Sequence, residues 1–177
     1  LQAAVPDQAV IDPDEFRRRM AERWTGQLGN VYTERLGKQW SELAEVLNWH
    51  VTAHDNPAMA EKFTVVAAAL GSGKSQGVAL YCAMLAERFK LDEQPGAMIV
   101  CRRIEEADEL AQTINRLSGI AAFAVAFHSE AGAQGIKLAD LPAYPVVIVT
   151  HRGYQIALDR LAADDGASRW PEFSRYL

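Results

Sequence analysis

Cysteine is nearly absent: Cys82 and Cys101 are the only two in 177 residues, with no CxxC pair and no histidine nearby at ligand spacing. Neither a disulfide framework nor a structural zinc site is therefore expected. Long hydrophobic runs are missing too. No stretch approaches the roughly 20 apolar residues that cross a bilayer, and the first residues lack the basic-then-apolar order of a secretory signal. A cytoplasmic chain with no membrane partner is the expectation. An excess of positive charge is also lacking, since 18 Lys and Arg face 23 Asp and Glu for a net charge of −5. The molecule as a whole offers no electrostatic argument for nucleic acid, although a local basic stripe can act against an acidic average. Internal repeats and low-complexity tracts are absent as well.

What is present is a chain that folds. Hydrophobic residues make up 49% and charged residues 23%, enough for one domain with a real core and a small helical appendage. Residues 1–60 read as an arm and a helical lead-in. Leu1 to Pro13 carries two prolines and little periodicity. Asp14 to about Trp24 and Gly37 to His50 have apolar residues at helical spacing, with Trp40, Leu43 and Leu47 in the second. From residue 61 to 177 the pattern changes to short apolar runs alternating with helical ones, the signature of βαβ units. The strands are expected at Phe63–Ala69, Ala97–Cys101, Ala121–Phe127 and Pro145–Thr150. The helices are expected at Ser75–Lys90, Glu105–Leu117 and Arg152–Ala162, with a loop from His128 to Tyr144.

Between the first of those strands and the first of those helices lies Ala68-Ala69-Leu70-Gly71-Ser72-Gly73-Lys74-Ser75, which fits the P-loop pattern A/G-x-x-x-x-G-K-S/T in the context that motif requires. Glycines at 71 and 73 let the backbone wrap closely around phosphate oxygens, and the helix N-terminus adds partial positive charge. The expected ligand is ATP with Mg²⁺, cradled by Ala69, Leu70, Gly71, Ser72, Gly73, Lys74 and Ser75. Lys74 is placed on the β- and γ-phosphates, and the hydroxyl of Ser75 on the metal. The alternative is a glycine-rich turn with an exposed lysine at a helix start.

Two later segments narrow the class. Cys101-Arg102-Arg103-Ile104-Glu105-Glu106-Ala107-Asp108-Glu109-Leu110-Ala111-Gln112 resembles motif Ia of superfamily-two helicases and translocases, with Glu109-Leu110-Ala111 matching its core. Val146-Val147-Ile148-Val149-Thr150 followed by His151-Arg152-Gly153 resembles the motif Ib region of the same family. The resemblance spans about residues 63 to 160 and implies an α/β fold: the three-layer, RecA-like P-loop NTPase with a mostly parallel sheet. It implies a nucleic-acid-dependent ATPase in which Arg102, Arg103, Thr150 and Arg152 meet the backbone of DNA or RNA, with His151 beside them. Read without the family, the two arginines are a solvated turn and Thr150 caps the next helix. Gln39, upstream of the loop, stands loosely where some helicases read adenine.

The family also carries a D-E-x-x motif, whose acids hold Mg²⁺ and activate water, and no predicted strand here ends in such a pair. The chain starts at Leu1 and stops at Leu177, which suits the N-terminal part of a longer helicase-like protein or a truncated relative of one. The rest of the helicase core, or a partner, then supplies that motif and the arginine finger. This chain alone is expected to bind nucleotide without efficient turnover, so no catalytic residue is assigned in it. Two other readings stay open: a small-molecule P-loop kinase, and a non-catalytic nucleotide-binding interaction module.

Overall fold

Asp12 starts the first helix, its carboxylate accepting the N–H of Asp14 at 3.0 Å with Pro13 in the first helical position. The computed structural model describes residues 10–53, 64–91, 93–130 and 135–156. The chain divides into two compact units, Leu1–Leu85 and Ala86–Leu177.

The first unit is helical. Helix α1, Pro13–Glu22, buries Phe16 and Met20 one turn apart and passes into a π-helical turn, Arg23–Gln27. Its outer face is laced by ion pairs: Arg17 to Asp14, Arg18 to Glu15 and Glu22, and Arg19 to Glu15. Arg18 and Arg19 hold the Glu15 carboxyl down at about 2, although pairs this exposed add little to stability. Helix α2, Glu34–Ala53, runs past both ends of the expected Gly37–His50 and buries Trp40, Leu43 and Ala44. Helix α3, Lys74–Arg88, is buried from Ala79 to Leu85. It comes close to α2 through Gly77, where an added Cβ would lie 2.8 Å from Leu43 Cδ2. Asn48 ties three segments together. Its side chain accepts from Ile11 N at 2.8 Å, donates to Ile11 O at 2.7 Å, and accepts from the Tyr81 hydroxyl at 2.9 Å.

The second unit holds the sheet. Its strands are β1, Ala97–Cys101; β2, Ala124–Phe127; and β3, Val146–Thr150, all parallel and in the order β1-β3-β2. Central β3 is buried at every residue, which accounts for its unbroken apolar run. Helix α4, Ile104–Ser118, connects β1 to β2 and buries Ala107, Ala111 and Ile114 at helical spacing. Asn115 pairs with the edge of β2 as a strand would, donating to Ala124 O at 2.9 Å and accepting from Ala124 N at 2.7 Å. A 3₁₀ helix, Leu138–Ala143, lies in the expected loop and buries Leu141 against Val125, Val147 and Val149. Residues 151–156 begin a helix, and the expected continuation to Ala162 lies outside the described residues.

The mixed α/β class and the parallel sheet are as expected from the sequence. Two expectations are corrected. The described part of the Phe63–Ala69 run, residues 64–69, joins no strand, and Val65 is 88% exposed. Apolar content marks a segment as able to be a buried strand, but a strand exists only where a neighbour takes its backbone groups. Strand β2 begins at Ala124 rather than Ala121, because Phe123 N bonds Ile120 O and makes residues 120–123 a turn. No described helix is long and apolar enough to cross a membrane.

Candidate functional site

The P-loop lies in the first unit, and its conformation follows from its glycines. Gly71 and Gly73 have φ of +73° and +80°, the left-handed region that other residues adopt at a cost. Between them Ser72 N bonds Ala69 O at 3.3 Å, closing a turn, and Gly73 O accepts from Gly77 N at 2.8 Å as α3 begins. The first N–H groups of α3 have no carbonyl of their own helix to bond, which is what makes such a terminus receptive to anions. Lys74 and Ser75 are exposed at this terminus. The Lys74 ammonium folds back over the loop, donating to Ala68 O and Ala69 O at 2.9 Å each.

The seven residues expected to cradle phosphate, 69–75, thus form one continuous bend entering a helix. Their parts differ. Leu70 is fully exposed at the tip, and Ala69 and Gly71 are exposed beside it. Ser72 is turned inward: it is 4% exposed, and its hydroxyl has no hydrogen-bond partner among the described residues. Space above Gly71 is open, since a Cβ there would meet nothing within 4 Å. The residues present therefore suit a phosphate chain. For Mg²⁺ they offer the Ser75 hydroxyl, the usual single protein oxygen beside phosphate oxygens and waters. No group of three metal-ligating side chains occurs among the described residues.

Trp24 and Trp40, aromatic residues of the helical lead-in, do more than fill its core. The Trp40 indole N–H donates to Ser72 O at 2.9 Å in the buried base of the loop. The Trp24 ring lies under Gly73, where a Cβ would stand 2.9 Å from Cζ3. The two indoles meet edge to face with centroids 5.8 Å apart. The one available signal was chemical: a tryptophan buried in a helix must find an acceptor for its N–H. Gln39 is half-buried on α2.

The second unit brings together the residues expected to meet a nucleic-acid backbone. Cys101 pairs in register with Thr150, and Phe127 with Val149. Arg102 and Arg103 therefore leave the sheet on the same rim as Thr150, His151 and Arg152, the C-terminal rim where open α/β sheets place their sites. Arg102, Arg103, His151 and Arg152 are exposed, while Thr150 is buried. The Thr150 hydroxyl accepts from Gly153 N at 3.2 Å, so it caps the following helix as its family-free reading anticipated.

One rim feature was not foreseen. His128, just past β2, has a side chain only 1% exposed and lies 3.1 Å from Asp108 Oδ1 on α4. Its Nδ1 accepts from Glu130 N at 3.3 Å, so the neutral ring carries its proton on Nε2 and donates it to Asp108. Spacing carried no sign of this pair, since the two residues are brought together only by the βαβ crossover. The thiols are poor nucleophiles. Burial pushes Cys82 up to about 12, and burial with the nearby Glu106 also raises Cys101.

Comparison with family models, curated proteins and solved structures finds no match for this chain.

Proposed function

We propose that this chain is the ATP- and Mg²⁺-binding part of a helicase-like, nucleic-acid-dependent ATPase with a partial RecA-like three-layer domain. The observation that carries the reading is the loop itself. Two left-handed glycines, Gly71 and Gly73, bend the chain into the N-terminus of α3, and Lys74 and Ser75 stand exposed at its mouth. Backbone N–H groups there hold phosphate oxygens, Lys74 exchanges its two carbonyl partners for the β- and γ-phosphates, and Ser75 gives one oxygen to Mg²⁺. The metal supplies charge neutralisation on the phosphates.

The basic rim supports the second half of the reading. The exposed Arg102, Arg103 and Arg152 can hold phosphodiester oxygens of DNA or RNA without reading bases, while Thr150 beside them is buried and caps the helix that carries Arg152. None of the three described strands ends in a carboxylate pair: β1 leads into Arg102-Arg103, β2 into His128-Ser129 and β3 into His151-Arg152. Hydrolysis then requires acids and an arginine finger from the rest of a helicase core or from a partner.

The test is calorimetric titration of ATP with Mg²⁺ into the chain and into Lys74→Ala, followed by an ATPase assay with and without single-stranded DNA and RNA. Binding by the native chain, its loss in Lys74→Ala with the fold intact, and little turnover are expected. Equal affinity in the two proteins would remove the P-loop reading, and brisk turnover would place a catalytic carboxylate within this chain.

A further inference from the structure

We infer that Trp40 is a positioning residue of the nucleotide site, which sets the direction of the Ser72–Gly73 peptide so that the Gly73 N–H faces the phosphates. The inference rests on the P-loop reading above and assigns part of that site to the helical lead-in.

A trans peptide carries its C=O and N–H on opposite sides, and no peptide among the described residues is cis. Whatever holds the carbonyl of Ser72 therefore decides where the N–H of Gly73 points. The Trp40 indole N–H holds that carbonyl at 2.9 Å, in a buried setting where Trp40 itself is 1% exposed. The N–H of Gly73 is thereby turned away from the core. The next peptide is held by the helix, because Gly73 O accepts from Gly77 N at 2.8 Å and so aims the N–H of Lys74 out of the helix end. Successive N–H groups that can converge on one anion form a nest. Helix α3 fixes the second of them, while the first lies beyond the reach of its hydrogen-bond ladder and is fixed by Trp40.

Trp24 completes the support. Its ring fills the space under Gly73, so that a Cβ there would be 2.9 Å from it, and it packs edge to face on Trp40 at 5.8 Å. A flip of the Ser72–Gly73 peptide would turn the Gly73 N–H inward, leave the buried indole N–H without its acceptor, and bring Ser72 O toward the phosphates, where it repels them.

The experiment compares ATP·Mg²⁺ affinity of the native chain, Trp40→Phe and Tyr81→Phe. The last removes one buried hydrogen bond, to Asn48, elsewhere in the same unit. Trp40→Phe is expected to bind about five- to tenfold more weakly, the equivalent of one neutral hydrogen bond, while Tyr81→Phe keeps native affinity despite lower thermal stability. The amide resonance of Gly73 should shift on ATP addition in the native chain and much less in Trp40→Phe. Should Trp40→Phe fail to fold, benzothienylalanine at position 40, which keeps the ring's size and lacks its N–H, gives the same comparison. Native affinity and a native Gly73 shift in either variant would reduce Trp40 to a packing residue. A native chain that binds no ATP would instead overturn the P-loop reading, and this inference with it.

Discussion

Gly71 and Gly73 look alike in the sequence and are unlike in the structure. Both are left-handed, with φ of +73° and +80°, yet the space above Gly71 is open while Gly73 rests on Trp24. Gly71→Ala therefore meets only the backbone cost of a left-handed residue, about 1–2 kcal/mol. Gly73→Ala meets that cost and must also displace a ring, so a loss of about 2–4 kcal/mol is expected. Denaturant midpoints of the two variants measure the difference, and equal midpoints would mean that Trp24 yields freely. The motif made both glycines legible. That one of them is also a packing contact was not, because its partner Trp24 lies 49 positions earlier, in the helical lead-in.

Among the elements, the ones written by periodicity were the ones the sequence announced. Helices α1, α2, α3 and α4 and strands β1 and β3 fall close to their expected places, since each carries an apolar stripe or run of the right period. The exception is the run ending at Ala69, which has strand composition and no strand partner. Two asparagines that carry no periodic signal do much to hold elements together. Asn48 bonds both backbone groups of Ile11 and the Tyr81 hydroxyl, and Asn115 bonds both backbone groups of Ala124. Asn48→Ala leaves three buried groups without a partner and should cost about 2–4 kcal/mol. Arg18→Ala breaks ion pairs that lie in solvent and should leave the midpoint near native. Chemical denaturation of the two variants checks the contrast, and an Arg18 effect as large as that of Asn48 would reverse the ranking of buried amide over surface charge.

For the whole molecule the average charge conceals a local cluster. A net charge of −5 offers no electrostatic argument for nucleic acid, yet parallel pairing of β1 with β3 gathers Arg102, Arg103, His151 and Arg152 along one rim. If that rim holds strand phosphates, Arg102→Ala with Arg103→Ala weakens binding of a labelled single strand. It also lowers the slope of log K against log salt by about 1.4, two contacts at roughly 0.7 each. Fluorescence anisotropy across a salt series reads both quantities, and an unchanged slope would return the arginines to a solvated turn. The sequence by itself determined the α/β class, the parallel strands and the phosphate-loop motif, because periodicity and local glycine geometry are properties of neighbouring residues. Only the tertiary structure decided that His128 pairs with Asp108 and that Trp40 grips the base of the loop. Each of those depends on which distant groups the packing leaves in need of a hydrogen-bond partner, and no local pattern encodes that.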